Sequence, residues 1–353
     1  DLEQRRDGTQ TTIATGAQTK TLLGEEFPLR DLPLTTSDEL GIYLQDEISY
    51  GAFTLIPGLR WDAIWLDART DAVFDDPDRL TDLDNEELSL RLGLTWRALD
   101  RLTLYGSYAE GFRSPPAEDV NLYLNLPQFG VVSLPNPDLQ PERSDNIEAG
   151  LRWRDDGLAL TAGAYYANYD DFIESRARIG TDPDSGMTVF QSRNIEEATI
   201  YGVEADAVLD LFRLDERLAA WSLEAGVHWA EGENDGTNET LNTVAPLKLI
   251  TGLRWRSLTY GLESGVRVTH LGRKSDVDRT GGDLFVPPSA TVLDWTTRWD
   301  PTEKLDVVFG LYNLTNERYW RFSDVRNYDP GDPRVEIASR PGIHADLTVN
   351  FRF

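Results

Sequence analysis

Cysteine is absent from the 353 residues, which rules out disulfides, thiolate metal sites and cysteine nucleophiles. No run of eighteen apolar residues occurs, so no transmembrane helix is expected, and the opening DLEQRRDGTQ is not a signal peptide. Positive charge is scarce: 34 Lys and Arg face 61 Asp and Glu, a net charge of −27 that repels phosphate backbones and excludes nucleic acid as a partner. Histidine occurs only at His228, His270 and His344. There is no nucleotide-binding glycine motif, no HExxH and no nucleophile elbow, so an outer-membrane enzyme would lack a visible catalytic cluster. None of these absences excludes a transmembrane barrel, which needs only alternation.

Aromatic residues are plentiful. Ten Trp, thirteen Tyr and thirteen Phe argue against the disorder that such acidity otherwise suggests. Residues 88–97 read LSLRLGLTWR, with Leu88, Leu90, Leu92, Leu94 and Trp96 on one face and two arginines on the other. A period of two over ten residues is a strand. The same alternation recurs in 147–154, 221–229, 247–255 and 293–299, and several stripes finish on tryptophan beside a short charged turn, as an interfacial girdle would. A soluble sandwich would pack those tryptophans inward, but strands near ten residues match the span of a bilayer.

Strands are expected near 39–50, 53–65, 87–98, 102–112, 144–154, 158–171, 194–209, 218–230, 246–256, 259–271, 289–299, 305–317 and 341–353. Their connections alternate short and long, with long links at 66–86, 113–143, 172–193, 231–245, 272–288 and 318–340. The fold class is therefore all-β: an antiparallel up-and-down transmembrane barrel whose long links face outside. Thirteen strands is an odd number, and single-chain bacterial barrels are even. Either residues 1–38 hide another strand, for which 9–24 is the poorly alternating candidate, or the chain is part of a larger barrel, which is the favoured reading. Residues 1–38 form a leading segment or extracellular loop, and 39–353 form barrel. By parity His228 and His344 face the lumen, while His270 lies near an extracellular strand end. Arg91, Arg152 and Arg254, with Glu148 and Glu224, line a charged interior.

Five stretches carry a family resemblance: GIYLQDEISYGAFTLIPGLRWD (41–62), GFRSPP (111–116) with NPDLQPE (136–142), YYANYDDFIE (165–174) with NIEEATIYGVEADA (194–207), TVAPLKLITGLRW (243–255) and GLYNLTNERYW (310–320). In that order they resemble the C-terminal part of a TonB-dependent outer-membrane receptor, most closely the haem and haemoprotein receptor branch. The resemblance implies a twenty-two-stranded barrel of the Gram-negative outer membrane, of which the last thirteen strands are present. It also implies that the plug domain, the first barrel strands and the segment contacting TonB lie upstream of this chain. The implied partners are haem or a haem-carrying protein, the TonB system, the lipid bilayer and the barrel-assembly machinery. The last strand, with Leu347, Val349, Phe351 and terminal Phe353 on one face, is similar to the signal that machinery reads.

The resemblance implies transport without bond chemistry, with haem as cargo and no cofactor required. Its paired boxes point to a ligand-binding loop with Phe112, Arg113, Asn136 and Pro137 at the ends and Tyr123 and Phe129 between. The alternative for that loop is a cap that packs on itself. Receptors of this branch commonly carry an iron-ligating histidine between the boxes, but residues 117–135 contain none. Tyr123 and His270 are the candidate replacements, since tyrosinate and imidazole both serve as axial haem ligands. A ferric-siderophore or cobalamin receptor of the same family, and a passive outer-membrane channel, are the competing readings. The acidic loops suit an anionic siderophore less well than haem.

Overall fold

A computed structural model of the chain describes residues 10–12, 16–18 and 30–352. Thirteen long strands are built from the alternating stretches. They are β1 (Leu34–Gln45, continued by Ile48–Tyr50), β2 (Phe53–Arg69), β3 (Leu83–Leu99) and β4 (Leu102–Arg113). Next come β5 (Glu142–Arg154), β6 (Leu158–Thr181), β7 (Thr188–Asp210), β8 (Trp221–Asn234) and β9 (Lys248–Ser257). The last are β10 (Leu262–Leu271), β11 (Ala290–Thr302), β12 (Leu305–Tyr312) and β13 (His344–Phe351).

Each long strand pairs antiparallel with the next, in the up-and-down order expected. With short accessory pieces the sheet counts 17 strands. β13 is registered against β12 and β1 against β2; among the described residues no register joins β13 to β1. Every residue of β13 is exposed, including Leu347, Val349 and Phe351 of the expected assembly signal, whereas Phe353 lies outside the described residues.

The sheet is apolar on its outer face and charged on its inner face. Leu88, Leu90, Leu92, Leu94 and Trp96 of β3 are all 42–53 % exposed, which suits a face turned to hydrocarbon. On the inner face Arg254 pairs with Glu224 at 3.1 Å, and Arg267 approaches the same carboxylate at 3.6 Å. Tyr105 and Tyr165 lie flat on that wall, over Gly150 and Gly202 respectively. A Cβ at Gly150 would sit 2.5 Å from the Tyr105 hydroxyl, so glycine is what lets the ring lie there.

The buried core sits at the long-loop end rather than in mid-sheet. One cluster joins Leu66, Ala117, Val120, Leu139 and Ile173; a second joins Phe172, Ile195, Ala198, Leu241 and Val244. Loops and strand ends thus share the apolar packing that a soluble protein places at its centre.

The long link expected over 172–193 is instead strand for most of its length. β6 runs to Thr181 and β7 resumes at Thr188, so only a short turn remains. Register shifts between Glu174 and Ala177 and between Arg178 and Gly180, with positive φ at Asp171 and Arg176, break the alternation that would have revealed it. β12 ends at Tyr312, short of the expected 317, because Asn313 adopts φ of 51° and ends the extended run. β1 begins at Leu34, within the leading segment.

Candidate functional site

The long connections gather over one end of the sheet. The link between β4 and β5 opens with Pro115 and Pro116 and makes one helical turn, α1 (Ala117–Asn121). A hairpin of Leu124–Leu126 and Val131–Leu134 follows, and its second arm pairs in parallel with Thr188–Gln191 of β7. The connection is therefore an added layer of sheet, hydrogen-bonded along the projecting β6–β7 hairpin.

Its polar residues tie the two ends of the loop to their neighbours. Arg113 donates to Glu142 Oε2 at 2.6 Å and to the Ile173 carbonyl at 3.0 Å. The same Glu142 oxygen accepts from the Ile173 N–H at 2.8 Å, so the first and second boxes close on one backbone residue. Asn136 donates through its side chain to the Ser192 carbonyl at 2.9 Å and through its backbone to the Asp119 carbonyl at 3.0 Å. Its side-chain oxygen accepts from Asp138 N–H at 3.1 Å across exposed Pro137, an Asx turn. Buried Asp119 accepts from the hydroxyls of Ser175 and Ser192 at 2.9 and 2.7 Å.

The remaining sequence candidates are spread over this end. Phe112 is half-buried on β4. Tyr123 is half-buried, with the Arg79 guanidinium 4.7 Å above its ring. Phe129 closes a single 3₁₀ turn before Gly130, whose φ of 63° sets the bend, and it is 57 % exposed. His270 pairs across the sheet with Leu249 and Thr291, and its Nδ1 lies 2.9 Å from the Thr291 hydroxyl. Cross-strand partners share a face, so His270 stands on the outer stripe with Val266 and Val268. His228 faces the lumen beside Glu204 and Asp206, at 3.9 and 3.7 Å, and His344 stacks on Tyr312.

Four groups that sequence reasoning did not single out organise the same end. Asn121 bonds the backbone of Thr81 twice. Arg178 of β6 pairs with Asp329 and donates to the Asp283 carbonyl, clamping the β6–β7 hairpin to two other loops. Asp332 is held below the usual carboxylate range by its hydrogen bonds with Arg334. Lys274, 8 % exposed, donates to the carbonyls of Leu241 and Val244 at 3.0 and 2.8 Å and lies 5.4 Å from the Phe322 ring. Burial pushes its ammonium down to about 8. No sequence pattern marks Asn121, Arg178 or Lys274, because each acts on a backbone or side chain distant in the chain, whereas Asp332 acts on its near neighbour Arg334.

The family described as TonB dependent receptor-like, beta-barrel matches residues 4–314. A probable hemoglobin and hemoglobin-haptoglobin-binding protein 4 of Haemophilus influenzae is 24 % identical over 262 residues, 69 % of this chain and 26 % of its own length. The hemoglobin-haptoglobin utilization protein B of Neisseria meningitidis is 23 % identical over 308 residues, 78 % of this chain and 38 % of its own. The chain thus spans between a quarter and two fifths of those two curated relatives. Among solved structures, the copper transporter OprC superposes with a TM-score of 0.74 at 19 % identity, over 90 % of this chain and 48 % of its own. The FrpB iron transporter of Neisseria meningitidis gives 0.63 at 18 % identity, over 90 % and 45 %. Inner charge, outer apolar stripes, alternating turns and loops, and the family match over residues 4–314 agree: the chain belongs to the TonB-dependent receptor β-barrel family of outer-membrane proteins.

Proposed function

We propose that this chain is the C-terminal barrel portion of a receptor that captures haem, or a protein carrying it, outside a Gram-negative cell and passes the haem inward with energy delivered through TonB. The family is one of transport receptors rather than enzymes. The observation that carries the haem reading is the set of curated relatives whose names specify hemoglobin or hemoglobin-haptoglobin, matched over 64–78 % of this chain.

In this reading the chain from Leu34 onward supplies the last thirteen of twenty-two strands, and the plug and the TonB-contacting segment belong to the rest of the receptor. Haem is cargo, and no resident cofactor is required. The loop cap formed by 114–141 and the β6–β7 hairpin meets the haem-carrying protein, with Phe129 presented outward. Of the two candidate iron ligands, Tyr123 lies on that cap and His270 on the outer stripe, so the reading retains Tyr123.

Haemoglobin binding to the intact receptor in outer-membrane vesicles tests the proposal. Saturable binding of haemoglobin or haemin is the expected result. Saturable binding of a ferric siderophore, with none of either haem source, would overturn it.

A further inference from the structure

One cavity is cationic although the chain carries a net charge of −27. It measures about 440 Å³, within the range of small-molecule sites, and lies on the inner face of β9–β11 beneath the loops at 272–289 and 313–343. Its floor includes Lys248 and Arg267, and its roof includes Tyr319, Arg321 and Phe322.

Four cations line the cavity against one acid, Asp294. That acid is engaged: Asp294 Oδ1 accepts from the Asn313 N–H at 2.8 Å. Two of the cations are engaged as well, Lys274 by two carbonyls and Arg267 by Glu224 at 3.6 Å. Lys248 and Arg321 are exposed, and among the described residues neither lies within ion-pair distance of a carboxylate. Lys248 faces the lumen, since its cross-strand partner is His228. Cations left unneutralised in an acidic protein, in a cavity also lined by Pro287, Tyr319 and Phe322, fit a ligand with an aromatic body and a carboxylate edge.

We infer that this cavity is a binding site for the anionic edge of a flat aromatic ligand, with Lys248 and Arg321 taking its carboxylates and Tyr319 meeting its ring. The inference rests on the haem reading and adds the part of the ligand that is recognised: the acidic edge, independently of the iron.

The test is binding of metal-free protoporphyrin and of its dimethyl ester to the intact receptor in detergent, followed by ligand fluorescence. The ester keeps the ring and removes both charges. The free acid is expected to bind about a hundredfold more tightly than the ester, the scale of two lost charge-assisted hydrogen bonds. Lys248→Gln and Arg321→Gln are each expected to weaken the acid by about tenfold and leave the ester unchanged. Lys304→Gln, in the turn at the far end of the sheet, is the control that leaves both unchanged. Equal binding of acid and ester, or an acid affinity that ignores both substitutions, overturns the inference. A ferric tris-catecholate, anionic and aromatic, separates the two readings. If the receptor binds the catecholate but not the porphyrin, and both substitutions weaken it, the site stands and the haem reading falls. If neither ligand's affinity depends on Lys248 or Arg321, the site falls.

Discussion

Asn121 makes a strand-like pair of hydrogen bonds with the backbone of Thr81: its Oδ1 accepts from the Thr81 N–H at 2.8 Å, and its Nδ2 donates to the Thr81 carbonyl at 2.9 Å. The side chain is fully buried, so no water replaces it. It joins the loop that follows β4 to the loop that follows β2. The apolar cluster of Leu66, Ala117, Val120 and Leu139 closes around the same junction.

Asn121→Ala leaves both Thr81 groups unpaired, at a local cost of about 2 kcal/mol. The Thr81 amide should then exchange hydrogen about thirtyfold faster, at tenfold per 1.4 kcal/mol, while mid-strand amides of β9 keep their protection. Unchanged exchange at Thr81 would show that the pair does not hold the two loops together.

Arg113 and Glu142 offer a test of what the paired boxes do. Glu142 is 9 % exposed, whereas the Arg113 side chain is 43 % exposed, so their coupling is discounted from that of a fully buried pair to about 1–2 kcal/mol. A double-mutant cycle of Arg113→Ala and Glu142→Gln, read by denaturant unfolding, should return that coupling. Strictly additive losses would mean that the boxes are not clamped by this contact.

Lys274 sets a pH dependence. Its folded pKa of about 8 lies below the ordinary 10.5, because burial opposes its charge. The unfolded chain therefore binds the proton more readily between those values, and the contribution of Lys274 to stability rises with pH through that window. Relative to Lys274→Met, the wild-type loop packing should gain stability between pH 7 and pH 10. Parallel stability profiles for the two proteins would contradict the buried ammonium.

Phe129 is the large apolar side chain that the loop cap leaves most open to a partner. Phe129→Ser should weaken capture of a haem-carrying protein by about tenfold, within the range for an exposed aromatic anchor, and leave thermal unfolding unaltered. Full capture by the variant would remove this residue from the contact surface.

The membrane-facing architecture is legible because it is written with a period of two: the order of residues from Leu88 to Trp96 is enough to declare their face. Parity likewise places His228 and His344 on the inner wall, where the registers put them. The loop end is far less legible. At 171–193 two register shifts and the positive-φ residues Asp171 and Arg176 hide a pair of strands, and the turn-forming TDPDSG at 181–186 reads as loop. The boxes draw attention to Arg113 and Asn136 without revealing their work, because Ile173 and Ser192 lie 60 and 56 positions away. His270 has the right height, yet its register with Leu249 puts it on the outer stripe. The cationic cavity has no linear signature, since Lys248, Arg267 and Arg321 meet only when three strands and two loops are in place.

Haem uptake is tested most directly by growth of the source bacterium with this gene disrupted. Haemin, haemoglobin or a ferric siderophore would each be supplied as the only iron source. Growth is expected to fail on the two haem sources and to continue on the siderophore. Failure on the siderophore alone, or normal growth on all three, would contradict haem uptake.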